Sequence, residues 1–101
     1  MNDDPSSREG TEEHPFIQLM NLLGRRWALR VLHELHQCPL GFRELASRCG
    51  GMSSSVLSTR LAELRSAGII EQVGGQPYEL TDRGRELAII LMQLSDWAVR
   101  P

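Results

Sequence analysis

Between Ser53 and Arg65, hydroxyl and guanidinium side chains recur at a spacing suited to reading a DNA groove. With Leu57 at 0° on a helix of about 100° per residue, Leu61 and Leu64 fall at about 40° and −20°, so three leucines form one buried stripe. Ser55 and Thr59 then occupy the middle of the opposite face, Ser58 and Ala62 flank them, and Arg60 and Arg65 project from opposite margins. Small hydroxyl residues let a helix backbone approach base edges, where they donate or accept hydrogen bonds. Ser54, Ser55, Ser58 and Thr59 are expected at base edges. Ser53 is expected at the helix start, whose free N–H groups favour a phosphate oxygen. Arg43, Arg60 and Arg65 are expected on the DNA backbone, with Arg60 the one to read a guanine. The plainer alternative makes the serines a capping turn and pairs Arg60 with Glu63 or Glu44.

Other reactive groups are less organised. His33, His36 and Cys38 form an HxxHxC run, and residues i and i+3 of a helix can share a metal. Yet His33 falls outside the apolar face and His36 suits a helix C-terminus through the dipole alone, so no metal and no cofactor are assigned. Cys49 beside a glycine turn reads as structural rather than as a reactive thiol. Gly51 to Ser55 is not a GxSxG elbow, because its fifth residue is serine and a helix, not a strand, precedes it. With no glycine-rich phosphate loop or paired carboxylates either, the chain does not read as an enzyme. Trp27 and Trp97 invite a ligand pocket at a dimer seam, but aromatics at helical spacing among leucines are read as core or dimer contacts.

The elements that must position these groups follow from periodicity and punctuation. Pro15 opens a first helix whose apolar residues, Phe16, Ile17, Leu19, Met20, Leu22 and Leu23, span too wide an arc for one packing face. Gly24 interrupts it. A second helix from about Arg25 to Gln37 sets Ala28, Val31, Leu32 and Leu35 on one side with Trp27 flanking, and Pro39 ends it. An extended piece at Leu40 to Phe42 leads to a third helix, roughly Arg43 to Cys49, that buries Leu45. Gly50-Gly51 turns the chain into the leucine-anchored helix, which runs from Ser53 or Ser54 to Ala67 and stops at Gly68.

Ile69, Ile70 and Val73 then read as a strand, Gly74-Gly75 as a tight turn with positive φ, and Tyr78 to Leu80 as the returning strand. Thr81 caps a last helix with Asp82 in its first turn. That helix sets Leu87, Ile90, Leu91, Leu94 and Ala98 on one face and Ala88, Ile89, Met92 and Val99 on a second. The fold class is therefore mainly α with a small β-hairpin wing, a winged helix-turn-helix. The surplus apolar surface of the terminal helices, with Phe16, Leu19, Met20, Leu23, Ile89, Met92 and Trp97 as the candidate dimer-interface residues, predicts that they meet a second partner.

Composition sets the bounds. One domain is expected of 101 residues, near the size at which association helps stability. Residues 1–14 read as a disordered acidic tail and 15–101 as the folded unit. The net charge of −2 conceals this division: Asp3, Asp4, Glu9, Glu12 and Glu13 face only Arg8, which leaves the remainder with two more basic than acidic residues. Every basic residue is arginine, which suits bidentate contacts and equally fits a bias in composition. Two cysteines without an apolar leader predict a cytoplasmic protein, and Leu87 to Met92 is far short of the roughly 20 apolar residues that span a bilayer.

GRRWALRVLHEL, GFRELASRCGGMSSSVLSTRLAELRSAGII and YELTDRGREL together resemble the HxlR-like winged-helix transcriptional regulators from Pro15 to Trp97, with individual pieces shared by MarR-like and ArsR-like relatives. The residues that carry it are Trp27, Phe42 to Leu45, Leu57, Arg60-Leu61, Glu63-Leu64, Gly68, Leu80-Thr81 and Gly84. The resemblance implies a homodimer, built from the first and last helices, on a two-fold symmetric operator. Two departures bear on it. His14-Pro15 stands where many members have Cys-Pro, so cysteine-based sensing does not transfer. The wing, GGQP, is short and without arginine or lysine, leaving Gln76 as its only groove contact and Arg43, Arg48, Arg60 and Arg65 to meet phosphates. The uncharged wing and negative net charge also admit another function, a winged helix that docks protein and never meets DNA.

Overall fold

A computed structural model describes residues 14–101. The expected acidic tail lies outside the described residues except for His14. That residue caps the first helix, α1 (Pro15–Leu23), where its Nδ1 accepts the Phe16 N–H at 3.1 Å. Pro15 at the first helical position needs no N–H partner and brings a φ already suited to the helix. Leu19, Leu22 and Leu23 pack on the core while Phe16, Ile17 and Met20 remain exposed. The broad apolar arc is thus divided between the chain's own interior and its surface.

The second helix, α2 (Ala28–Gln37), starts later than the expected Arg25. Trp27 is the reason: its φ of 78° makes it the one non-glycine residue with positive φ among the described residues. This left-handed residue turns the chain between α1 and α2, and the Arg26 guanidinium lies 5.7 Å from its ring centroid. Ala28, Val31, Leu32 and Leu35 are buried as expected. Glu34 joins them, held at 2.9 Å by Arg30 and at 3.6 Å by Arg48.

Helix α3 (Phe42–Cys49) includes Phe42, placed in the preceding extended piece by the sequence. Glu44 reaches back to accept the Gly41 N–H at 2.9 Å, which satisfies a donor that the first turn leaves free. The extended piece shrinks to Leu40, whose N–H and C=O both bond Tyr78, at 3.0 and 2.9 Å. Gly50 and Gly51, at φ 53° and 72°, turn the chain into α4 (Ser54–Ser66). Leu57, Leu61 and Leu64 of α4 are buried, each burial being worth roughly 1.5 to 3 kcal/mol. The helix closes on Gly68 at φ 76°, where Gly68 N–H donates to the Arg65 carbonyl and Ile69 N–H to the Leu64 carbonyl.

The wing is smaller than expected. Strands β1 (Ile70–Glu71) and β2 (Glu79–Leu80) pair antiparallel, Ile70 opposite Leu80 and Glu71 opposite Glu79. Val73, assigned to the first strand by its side chain, lies beyond it and is exposed because the chain has already left the ladder for the turn. Gly74 takes the positive φ, at 57°.

Helix α5 (Asp82–Val99) is tied to the rest by Thr81. Its hydroxyl accepts the Gly84 N–H at 3.0 Å and lies 2.6 Å from the Gly68 carbonyl and 3.1 Å from that of Ile69. The helix faces divide differently from the sequence pattern. Gly84 and Ala88 are buried with Leu87 and Leu91 packed beside them, whereas Ile90 and Leu94, set by spacing on one face with Leu87 and Leu91, are exposed. Small residues at i and i+4 let α5 lie close on the Ile69 backbone just before β1 and on α2, and that approach turns the larger side chains outward.

Candidate nucleic-acid interface

Helix α4 begins with Ser53, whose Oγ accepts the Val56 N–H at 3.2 Å. Ser53 therefore acts as the cap of the plainer reading as well as marking the helix start. Beyond it Ser54, Ser55, Ser58 and Thr59 are all exposed, opposite the buried leucines. Their hydroxyls are not equivalent. Thr59 donates to the Ser55 carbonyl at 2.9 Å and Ser55 Oγ sits 3.2 Å from that of Ser53, while Ser54 and Ser58 have no hydrogen-bond partner among the described residues. Ser54 and Ser58, one turn apart, are thus the hydroxyls most free to donate to an incoming acceptor.

Among the described residues, the arginines divide between free and protein-bound side chains. Arg43 in the first turn of α3 and Arg65 in the last turn of α4 are exposed and make no ion pair among the described residues. Arg48 lies 3.6 Å from Glu34. Arg60, expected to project toward a guanine, is folded inward: Nε donates to the Arg26 carbonyl at 2.9 Å and Nη1 to Glu63, leaving its side chain 15% exposed. Arg25 meets the same Glu63 carboxylate at 3.5 Å. The alternative pairing with Glu63 is the one found, because that margin of α4 faces the turn between α1 and α2 rather than solvent.

Farther along α4 the exposed face approaches α1 across a shallow hollow lined by Gln18, Asn21, Leu22, Arg25, Ala62, Glu63 and Ser66. Gln76 is exposed in the wing, where its carbonyl accepts the Gln72 side-chain N–H at 3.1 Å. The base of the wing carries Glu71 directly opposite Glu79, so the hairpin described as uncharged at its turn is acidic at its root. An acidic pair there opposes contact with phosphates.

The remaining sequence candidates are dispersed. Cys49 is buried in the core beside the Arg30–Glu34 pair, and burial pushes its thiol above the ordinary range, with Arg30 opposing the rise and Glu34 adding to it. His33 and His36 border an apolar groove of about 200 Å³ between α2 and α5, and no group of three metal-ligating side chains occurs among the described residues. Within one chain Trp27 and Trp97 line separate hollows. Of the expected dimer contacts, Phe16, Met20, Ile89 and Trp97 are exposed, while Leu19, Leu23 and Met92 are half-buried. No helix of the described residues is long and apolar enough to cross a membrane.

Comparison with known proteins places this geometry among relatives. The model of the HxlR-like helix-turn-helix family matches residues 22–100. An uncharacterized HTH-type transcriptional regulator of Bacillus subtilis strain 168, YvaP, is 33% identical over 89 residues, covering 82% of each chain. The HTH-type transcriptional regulator YodB of the same organism is 31% identical over 84 residues, 77% of this chain and 75% of its own. Its quinone-bound crystal structure superposes with a TM-score of 0.76 at 30% identity, covering 85% of this chain and 97% of the crystallised chain. A possible HxlR family transcriptional factor from Thermoplasma volcanium GSS1 superposes with a TM-score of 0.74 at 27% identity, covering 85% and 83% of the two chains.

Proposed function

The chain belongs to the HxlR-like helix-turn-helix family of transcriptional regulators, and from that premise we propose that it binds a specific DNA operator as a homodimer, with the N-terminal half of α4 in the major groove. The observation that carries the reading is the exposed hydroxyl row of α4, Ser54, Ser55, Ser58 and Thr59, set opposite three buried leucines. Base edges meet these hydroxyls, with Ser54 and Ser58 as the principal donors. Arg43 and Arg65 position the protein on phosphates, and Gln76 reaches an edge of the groove.

The dimer forms through α1 and α5, whose exposed Phe16, Ile17, Met20, Ile89, Ile90, Leu94 and Trp97 exceed what one soluble surface ordinarily leaves uncovered. Two copies related by a two-fold axis place their α4 helices in successive half-sites about 34 to 36 Å apart, or a multiple of that spacing. With His14 in place of the family's cysteine, a thiol sensor at that position forms no part of this proposal.

Selection from random duplexes tests the reading: an enriched palindrome is expected, bound with an affinity that falls as salt rises. Absence of enrichment together with a flat salt response would overturn it in favour of a protein-docking winged helix. For the dimer, Ile89→Glu or Met92→Glu is expected to sediment as monomer, and a dimer persisting in both variants moves the interface elsewhere.

A further inference from the structure

Arg60 invites assignment as a DNA contact from its place on α4, yet its guanidinium is spent on the protein. Nε donates to the Arg26 carbonyl across 34 positions of sequence, Nη1 engages Glu63, and Glu63 in turn meets Arg25 at 3.5 Å. All of these bonds converge on the corner between α1 and α2. That corner contains Trp27, held at φ 78°. A left-handed conformation costs a non-glycine residue about 1 to 3 kcal/mol and persists only where its surroundings impose it. Arg60 fixes the carbonyl immediately before this residue, and Ala28, immediately after it, is fully buried.

We infer that Arg60 is a positioning residue: with Glu63 and Arg25 it clamps the DNA-reading helix to the α1–α2 corner. The inference rests on the proposed DNA-binding dimer. It adds to that reading the link between its two halves. The angle between α1, which meets the second copy, and α4, which meets the groove, is set through this clamp. A dimer with a loose clamp still presents positive charge to DNA. It loses the fixed separation of two reading heads that a specific operator requires.

Glu63 separates this role from a direct contact. If charge alone mattered, Glu63→Gln would remove a carboxylate near the DNA-reading helix and tighten binding to every duplex. The clamp predicts the reverse for the operator. Affinity is measured by fluorescence anisotropy on the selected operator and on a scrambled duplex, for Arg25→Gln, Arg60→Gln, Arg60→Lys and Glu63→Gln. Each variant is held at a temperature where its far-UV circular dichroism matches that of the unmodified protein.

The ratio of operator to scrambled affinity is expected to fall about tenfold in Glu63→Gln and in Arg60→Gln, the scale of one lost charge-assisted hydrogen bond. Arg60→Lys is expected to lose most of the ratio too, since lysine keeps the charge but not the fork. The salt slope of Arg60→Gln is expected to match that of the unmodified protein. A slope reduced by about 0.9 would identify a phosphate contact and overturn the clamp. An unchanged or higher ratio in Glu63→Gln would also overturn it, leaving DNA binding itself intact. Failure of the unmodified protein to enrich any duplex would instead remove the DNA-binding premise, and the inference with it.

Discussion

Replacing Gly84 with alanine sets two known effects against each other. In an exposed helix interior the change stabilises by about 1 kcal/mol, because alanine is the better helix former. Here the added Cβ would lie 2.0 Å from the Ile69 carbonyl oxygen and 3.0 Å from its carbon, whereas ordinary contacts begin near 3.4 Å. The atom met is backbone, not the end of a side chain that swings away. Helix α5 and the Ile69 backbone leading into β1 must therefore separate by about 1 Å or more, a displacement of the kind that costs overpacked cores about 1 to 3 kcal/mol. The same oxygen accepts the Thr81 N–H at 3.0 Å and lies 3.1 Å from the Thr81 hydroxyl, so separation also weakens hydrogen bonds worth about 0.5 to 1.5 kcal/mol each.

After the gain in propensity, Gly84→Ala is expected to destabilise by about 2 to 3 kcal/mol. For a domain of this size that lowers the melting temperature by about 10 °C or more. Urea unfolding followed at 222 nm measures it, at matched protein concentration because association of the proposed dimer would contribute to stability. Gly68→Ala is the control: its φ is 76° and nothing lies within 4 Å of the added Cβ, so only the left-handed penalty of about 1 kcal/mol applies. A Gly84→Ala protein as stable as the original, or less affected than Gly68→Ala, would refute the steric reasoning.

Glu34→Ala is expected to cost about 1 to 2 kcal/mol in the same unfolding experiment, between the values for exposed and buried pairs, since Glu34 is buried but Arg30 and Arg48 are half-exposed and regain water. Cys49 is expected to alkylate far more slowly than Cys38 in the folded protein at neutral pH, and at a similar rate in urea, as read by peptide mass spectrometry. Because its folded pKa is raised, its contribution to stability is fully present below the ordinary thiol pKa and is lost as pH rises through the raised one, a loss expected to disappear in Cys49→Ala. Arg43→Ala and Arg65→Ala are each expected to reduce the slope of log affinity against log salt by about 0.9, on operator and scrambled duplex alike.

Much of the fold was legible because its signals are local. Pro15, Gly24, the Gly50-Gly51 turn, Gly68 and Thr81 mark helix ends through constraints that act within a few residues, and Leu57, Leu61 and Leu64 declare a face by spacing alone. The exposed hydroxyl row of α4 followed from the same periodicity. The missed features depend on contacts distant in sequence. Nothing near Arg60 indicates that the Arg26 carbonyl will stand beside it. Nothing near Gly84 announces Ile69, which is why spacing alone grouped Ile90 with Leu87 and Leu91 and set Ala88 on a different face. Glu34 had a detectable signal, since it follows Val31 by three positions and so borders the buried stripe, but its charge argued for the surface. Trp27 had none, for a bulky aromatic is among the residues least expected at positive φ.

The wing's ladder is short, yet its ends are fixed: Leu40 pins Tyr78 from one side, and Ile70 and Leu80 close the core beneath it. Residues 72–77 bridge these anchors outside the ladder. Loop-closure entropy grows only logarithmically, so doubling that bridge costs about 0.6 kcal/mol, while every added arginine or lysine that reaches a phosphate contributes another released counterion. On the proposed reading, general affinity for DNA would thus be raised or lowered by inserting residues at one hairpin tip without disturbing the helix proposed to select the sequence. Strength of binding and choice of site become separately adjustable, by an evolving genome or by an engineer.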